Sequence, residues 1–176
     1  MKGTLQAVAA VVAMLVVSGS ARAHPDGCGP ILDAIGKMNA APRIQQRGLV
    51  TGDGTSQPYS TDLLGFEDQE YSRQREGAWH AGPRTQVPLV IDGKAAIFDC
   101  RRAGADTSGG VAMTIYTYKR LMPKPRIVRD VRLWVADGTG LPERSQIETG
   151  SGAGRRRAEF TFRYDPDAAP PVAGDP

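Results

Sequence analysis

The chain has 176 residues, 40% of them hydrophobic and 23% charged, with 21 glycines and 13 prolines. That balance supports one core-forming domain and excludes a long coiled coil, a repeat array or a chain too polar to collapse. The formal charge is +3, but Lys2 and Arg22 fall in the first 23 residues, and the rest carries 20 basic against 19 acidic residues, so a general nucleic-acid-binding role has no electrostatic footing.

The N-terminus reads as a secretory signal peptide: Lys2 gives a positive start, Leu5 to Val17 is an almost unbroken apolar stretch, and Ala21-Arg22-Ala23 is a small-x-small cleavage site. An apolar stretch of this length falls short of the roughly 20 residues that a membrane-spanning helix needs. Cleavage after Ala23 would release a periplasmic protein beginning at His24. Pro25-Asp26-Gly27 before Cys28 does not look like a lipidation signal. Residues 24–164 are expected to form a single domain, and the proline-rich segment 165–176 a disordered tail.

Cys28 and Cys100 are the only cysteines, and in an oxidising compartment they are expected to form one disulfide. Closing a loop of about 70 residues would stabilise the fold by about 4 kcal/mol on the chain-entropy account. With no C-x-x-C pair, the bridge reads as a staple rather than a redox centre.

After Gly29-Pro30, the residues Ile31, Leu32, Ile35 and Met38 fall at helical spacing, which predicts a short helix over 30–39 ended by Ala40-Ala41-Pro42. Strand signals follow at 43–51 and 66–75. The segment 77–93, with Trp79, Gly82, Pro83 and Pro88, reads as loop with a short strand near 87–91, followed by a strand candidate at 94–102. Four further runs, 111–118, 127–136, 143–149 and 158–164, have the short connections of an antiparallel meander. The expected architecture is mainly β, a curved antiparallel sheet of half-barrel shape with a short N-terminal helix.

Val111, Met113 and Ile115 alternate along one run, Val131, Leu133 and Val135 along the next, and Phe160 and Phe162 along the last. Together with Ile147 they are expected to share one apolar face. A single short helix is too small to cover it. Part of that face is therefore expected to line a groove for an acyl or similarly apolar chain, with a filled core as the alternative.

No catalytic signature accompanies this pattern: the chain has no Gly-x-Ser-x-Gly elbow and no His-Glu-x-x-His motif. A copper site built on His24 and His80 would lack a third ligand, and Gly150-Ser151-Gly152-Ala153-Gly154 has no helix after it to cradle phosphate, so it reads as a hairpin loop. The sequence points to a binding protein without cofactor or metal. A metal-dependent or hydrolytic envelope enzyme is the weaker competing class.

Val131-Arg132-Leu133-Trp134-Val135-Ala136-Asp137-Gly138-Thr139-Gly140-Leu141-Pro142-Glu143-Arg144 combines a hydrophobic strand, a turn, Gly-Leu-Pro and a basic residue. With the helix-then-meander order over 30–164, it resembles the periplasmic lipoprotein-carrier (LolA and LppX-like) superfamily. The resemblance implies an unclosed, strongly curved sheet whose concave apolar side holds the acyl chains of a lipid or lipidated protein. Lys119, Arg120, Lys124 and Arg126 in one connection and Arg155, Arg156 and Arg157 in another should meet on one basic rim suited to an anionic membrane surface or an acidic partner.

Overall fold

The computed structural model describes residues 27–52, 57–150, 155–164, 169–172 and 174, so the expected signal peptide, His24 and much of the expected tail lie outside the described residues. Helix α1 (Gly29–Ala40) is followed by β1 (Arg43–Thr51), β2 (Tyr59–Phe66), β3 (Gln69–Gln74) and β4 (His80–Pro83). Next come β5 (Val90–Ile91), β6 (Lys94–Ala95), β7 (Ile97–Ser108), β8 (Val111–Met122), β9 (Ile127–Ala136), β10 (Pro142–Thr149) and β11 (Arg156–Arg163). Nine strands form one curved, unclosed antiparallel sheet in the order β4-β3-β2-β1-β11-β10-β9-β8-β7, with β5 and β6 as a separate small hairpin.

The order contains two meanders, β1 to β4 and β7 to β11, joined where β1 pairs with β11 from Gln45↔Arg163 to Thr51↔Arg157. Strands β2 and β4 were not expected from the sequence. In β2, Ser60, Thr61 and Asp62 break the apolar alternation, and β4 is a four-residue edge strand ending in Pro83, where no ladder donor is needed. The other edge, β7, carries Asp99, Arg101, Arg102 and Asp106, charges that discourage pairing with another chain.

Residues directly opposite in an antiparallel ladder share a face. Val131, Leu133 and Val135 lie opposite Tyr118, Tyr116 and Thr114, and the ladder carries this face on through Ser145 and Ile147 to Ala158, Phe160 and Phe162. Met113 and Ile115 lie opposite Ala136 and Trp134 instead, so Val111, Met113 and Ile115 are on the other side of the sheet. The expected single apolar face is thus two. In β8, apolar side chains occupy both alternations, and the register with β9 decides which side each takes.

The helix binds the first of these faces through Ile31, Ala34 and Ile35, which bury against Tyr118, Val131, Leu133 and Val135 with Ile97 and Cys28. Pro30 is accommodated in the first turn, where its missing N–H costs nothing, and Ala41, which precedes Pro42, is extended and ends the helix. The Cys28–Cys100 disulfide, with Cα atoms 5.0 Å apart, ties the start of α1 to β7. At the other end Arg84 donates from Nη1 to the Ala41 carbonyl at 2.7 Å and from Nη2 to that of Met38 at 3.4 Å, satisfying carbonyls that a helix end leaves open. Asn39 exchanges two hydrogen bonds with the Val87 backbone, of 2.9 and 3.0 Å. Segment 84–89 is thereby strapped beside the helix, and Val87 and Leu89 pack on the same core. In the tail, Gly174 donates its N–H to the Trp79 carbonyl.

The bridge spans 72 positions. Its loss should lower stability by about 4 kcal/mol, a fall of roughly 10 °C in Tm for a domain of this size. A Cys28→Ser/Cys100→Ser variant followed by circular dichroism should show that drop, and a Tm within 2 °C of the parent, on the same scale, would mean that the staple carries no weight.

Candidate ligand-binding site

A cavity of about 320 Å³ lies between α1, the strap and the sheet. It is bounded at once by Leu63 of β2 and Glu70 of β3 and by Tyr118 of β8 and Leu133 of β9. Strands β3 and β8 are six places apart in the sheet, about 29 Å on a flat one, so only a strongly concave face brings these residues around one space. Ile35 and Met38 form the helix side, Val87 the strap side, and Ile147, Phe160 and Phe162 the floor. The volume lies within the range of small-ligand pockets. A second recess of about 140 Å³ adjoins it, sharing Arg129, Ile147 and Phe160 and adding Val50, Tyr59, Thr149, Arg156 and Ala158.

Gly48 helps to keep this space open. It lies opposite Phe160, and a Cβ there would sit 2.5 Å from the Phe160 ring and 2.6 Å from Thr61 Oγ1. Without a side chain at Gly48, the ring lies across the β1 backbone instead of standing up into the cavity.

Arg120 and Arg129 face each other across β8 and β9 and line the cavity, with Tyr118 beside them. Glu70, with Gln46, Thr85 and Gln86, lines it away from that pair. Glu70 Oε2 accepts a hydrogen bond from the Thr85 N–H at 3.2 Å. Burial lowers the pKa of both guanidinium groups, and a neighbouring cation adds to the effect, Arg129 acting on Arg120 and Arg156 on Arg129. Burial pushes the Tyr118 hydroxyl up to about 12, with Arg120 pulling partly the other way.

The residues expected to line a groove divide accordingly. Val131, Leu133, Phe160 and Phe162 border the cavity, together with Ile147, while Val135 packs against the helix in the adjoining core. Met113 and Ile115 instead surround Trp134 on the convex face, where the indole N–H donates to Asp106 Oδ2 at 3.1 Å and Arg144 stacks 3.8 Å from the ring centre. Val111 is exposed on that side. The continuous apolar run Leu133-Trp134-Val135-Ala136 is the sequence signal for burial on both faces that could have found this second cluster.

The seven cations expected on one rim lie at one end of the sheet, near the β8–β9 turn and the β10–β11 connection, but they do not form a bare positive edge. Lys119 pairs with Asp130 at 2.8 Å, Arg126 with Asp92 at 3.0 Å, Arg157 with Glu159 at 2.5 Å, and Arg155 with Glu148. Lys124 is exposed in the turn. Arg120 points inward, and Arg156 reaches the Tyr59 hydroxyl beside the second recess. Arg129, whose sequence context is that of any basic residue near a turn, lines both spaces with them.

A wider groove of about 400 Å³ runs over the convex face between Asp99, Arg101, Lys119, Asp130, Arg132 and Glu148, an open surface where Lys119 and Asp130 neutralise each other. Among the described residues, no three His, Cys, Asp or Glu side chains converge to hold a metal ion. None of their helices is long and apolar enough to cross a membrane.

No family model and no curated protein sequence matches this chain. Its structure is similar to that of LprF from Mycobacterium bovis, with a TM-score of 0.54 and 13% identity over 86% of this chain and 99% of that one. The Mycobacterium tuberculosis lipoprotein LppX gives a TM-score of 0.48 at 12% identity, over 83% of this chain and 96% of that one. A lipoprotein-sorting protein domain from Vibrio parahaemolyticus gives 0.31 at 7%, over 77% and 92%. The curved sheet with its single helix shares its fold with LprF, and at 13% identity the likeness is one of architecture.

The raised Tyr118 pKa has a consequence for alkaline stability. Between pH 10 and about 12 the unfolded chain ionises this phenol and the folded chain does not. Its contribution to stability, about 2–3 kcal/mol, is therefore complete below pH 10 and lost as pH rises towards 12. Urea unfolding across that window should show a flatter fall in stability for Tyr118→Phe than for the parent; parallel curves would mean that the hydroxyl is solvated.

Proposed function

We propose that the protein is a binding protein of the cell envelope that holds an acyl chain or similarly apolar ligand between α1, the strap and the concave sheet. The observation that carries this reading is the cavity under α1, walled by Met38, Leu63, Leu133, Ile147 and Phe160. Its size is that of a small-ligand pocket, and it is open to solvent on one side, so a chain-like ligand could enter without unfolding the domain. The fold shared with LprF supports the reading at the level of architecture.

The signal peptide read from residues 1–23 and the disulfide both favour an oxidising compartment outside the cytoplasm. The cargo is accordingly a lipid or the lipid part of another protein. Its affinity would come from apolar burial, at about 0.8 kcal/mol per methylene, and no polar chemistry is needed to retain a chain.

Binding of saturated probes by delipidated protein should therefore be saturable and should tighten by about tenfold for every two methylenes added until the cavity is full. Ile147→Trp, which places a larger side chain in the cavity without introducing a charge, should abolish binding while leaving the Tm close to that of the parent. Absence of saturable binding by the folded parent protein would leave the filled-domain reading in its place.

A further inference from the structure

Arg120 and Arg129 are an expensive arrangement for a protein with no use for them. They stand directly opposite each other on adjacent strands, with side chains on the same inward face, a placement that destabilises a sheet when both charges have one sign. The Nε atoms of both are shielded from solvent and have no hydrogen-bond partner. Neither guanidinium takes part in a salt bridge among the described residues, in contrast to the exposed cations Lys119, Arg126, Arg155 and Arg157 close by. The one carboxylate lining the cavity, Glu70, is bonded to the Thr85 N–H and bridges to neither. Arg156, hydrogen-bonded to the Tyr59 hydroxyl, adds a third positive charge from β11 on the same side.

The cavity joins apolar wall residues, Ile35, Met38, Val131 and Leu133, to a cationic pair, Arg120 and Arg129, on the strand residues nearest the β8–β9 turn. An amphiphile matches both. A phosphate or carboxylate between the two guanidinium groups would accept the N–H donors that the fold leaves unused and remove the repulsion between them.

We propose that Arg120 and Arg129 bind the anionic headgroup, phosphate or carboxylate, of the amphiphile whose chain occupies the cavity. This rests on the reading of the cavity as an acyl-chain site, and it adds the ligand class: an anionic lipid rather than a neutral one. The two arginines are ligand-contacting residues.

Hexadecyl phosphate, hexadecanol and inorganic phosphate separate the elements of the proposal. The parent protein should bind hexadecyl phosphate about ten- to a hundredfold more tightly than hexadecanol, the range expected for charge-assisted hydrogen bonds. Arg120→Gln/Arg129→Gln should remove that difference, leave hexadecanol affinity within about threefold of the parent value, and melt no lower than the parent, because the like-charge pair is gone.

Equal affinity of the parent protein for the two amphiphiles would overturn the headgroup site while leaving the acyl-chain reading intact. Binding of neither amphiphile would overturn the acyl-chain reading itself. If inorganic phosphate bound as tightly as hexadecyl phosphate, the arginines would serve a free anion, and the lipid assignment would fall. A double variant with lowered Tm and weakened binding of both amphiphiles would make the arginines structural and contradict the proposal.

Discussion

One twelve-residue helix has to serve as the inner layer for a nine-stranded sheet, and the rest of the molecule follows from that disproportion. Ile31, Ala34 and Ile35 present only a narrow apolar stripe, enough to seal β8 and β9 over Tyr118, Val131, Leu133 and Val135. Burial of that stripe supplies most of what holds α1 in place, since a helix this short is marginal by itself. Its two ends are then fixed by different chemistry, a disulfide at Cys28 and the Arg84 and Asn39 hydrogen bonds at the C-terminal turn. With both ends held, the helix stands off the floor formed by Ile147, Phe160 and Phe162, and a cavity remains.

The sheet adapts to the same constraint. Pairing β1 with β11 lets the two meanders wrap towards each other, bringing Leu63 to the same space as Leu133. On the outward side of β8 and β9, Trp134 forms an apolar cluster with Met113 and Ile115, covered by Arg144 and tied to Asp106. The inner face keeps a cavity, and the outer face is closed by side chains of the protein itself.

Much of this was legible in the sequence, because the signals were local. The helical spacing of Ile31, Ile35 and Met38 and the proline at each end place α1 within a residue at either end, and the alternations in β1 and β9 give both strands over 43–51 and 127–136. The disulfide followed from cysteine count and compartment. Strand β2 was hidden because Ser60, Thr61 and Asp62 sit in a run whose stability comes from its neighbours, with Asp62 held by Arg47 and Arg73. The face taken by Met113 and Ile115 could not be read from β8 alone, since Tyr116 and Tyr118 offer an equally apolar alternative. The inward arginines escaped notice for a similar reason: in the sequence Arg129 is one more basic residue near a turn, and only its register opposite Arg120 sets it apart.

The central claim, that the space under α1 is a ligand site, is tested most directly by native mass spectrometry of protein isolated from the envelope without detergent, then delipidated and reloaded with an acyl-chain amphiphile. A stoichiometric adduct that is released into organic solvent and restored on reloading, with one molecule per chain, is the result the account predicts. The mass of the bare polypeptide before and after reloading would contradict it.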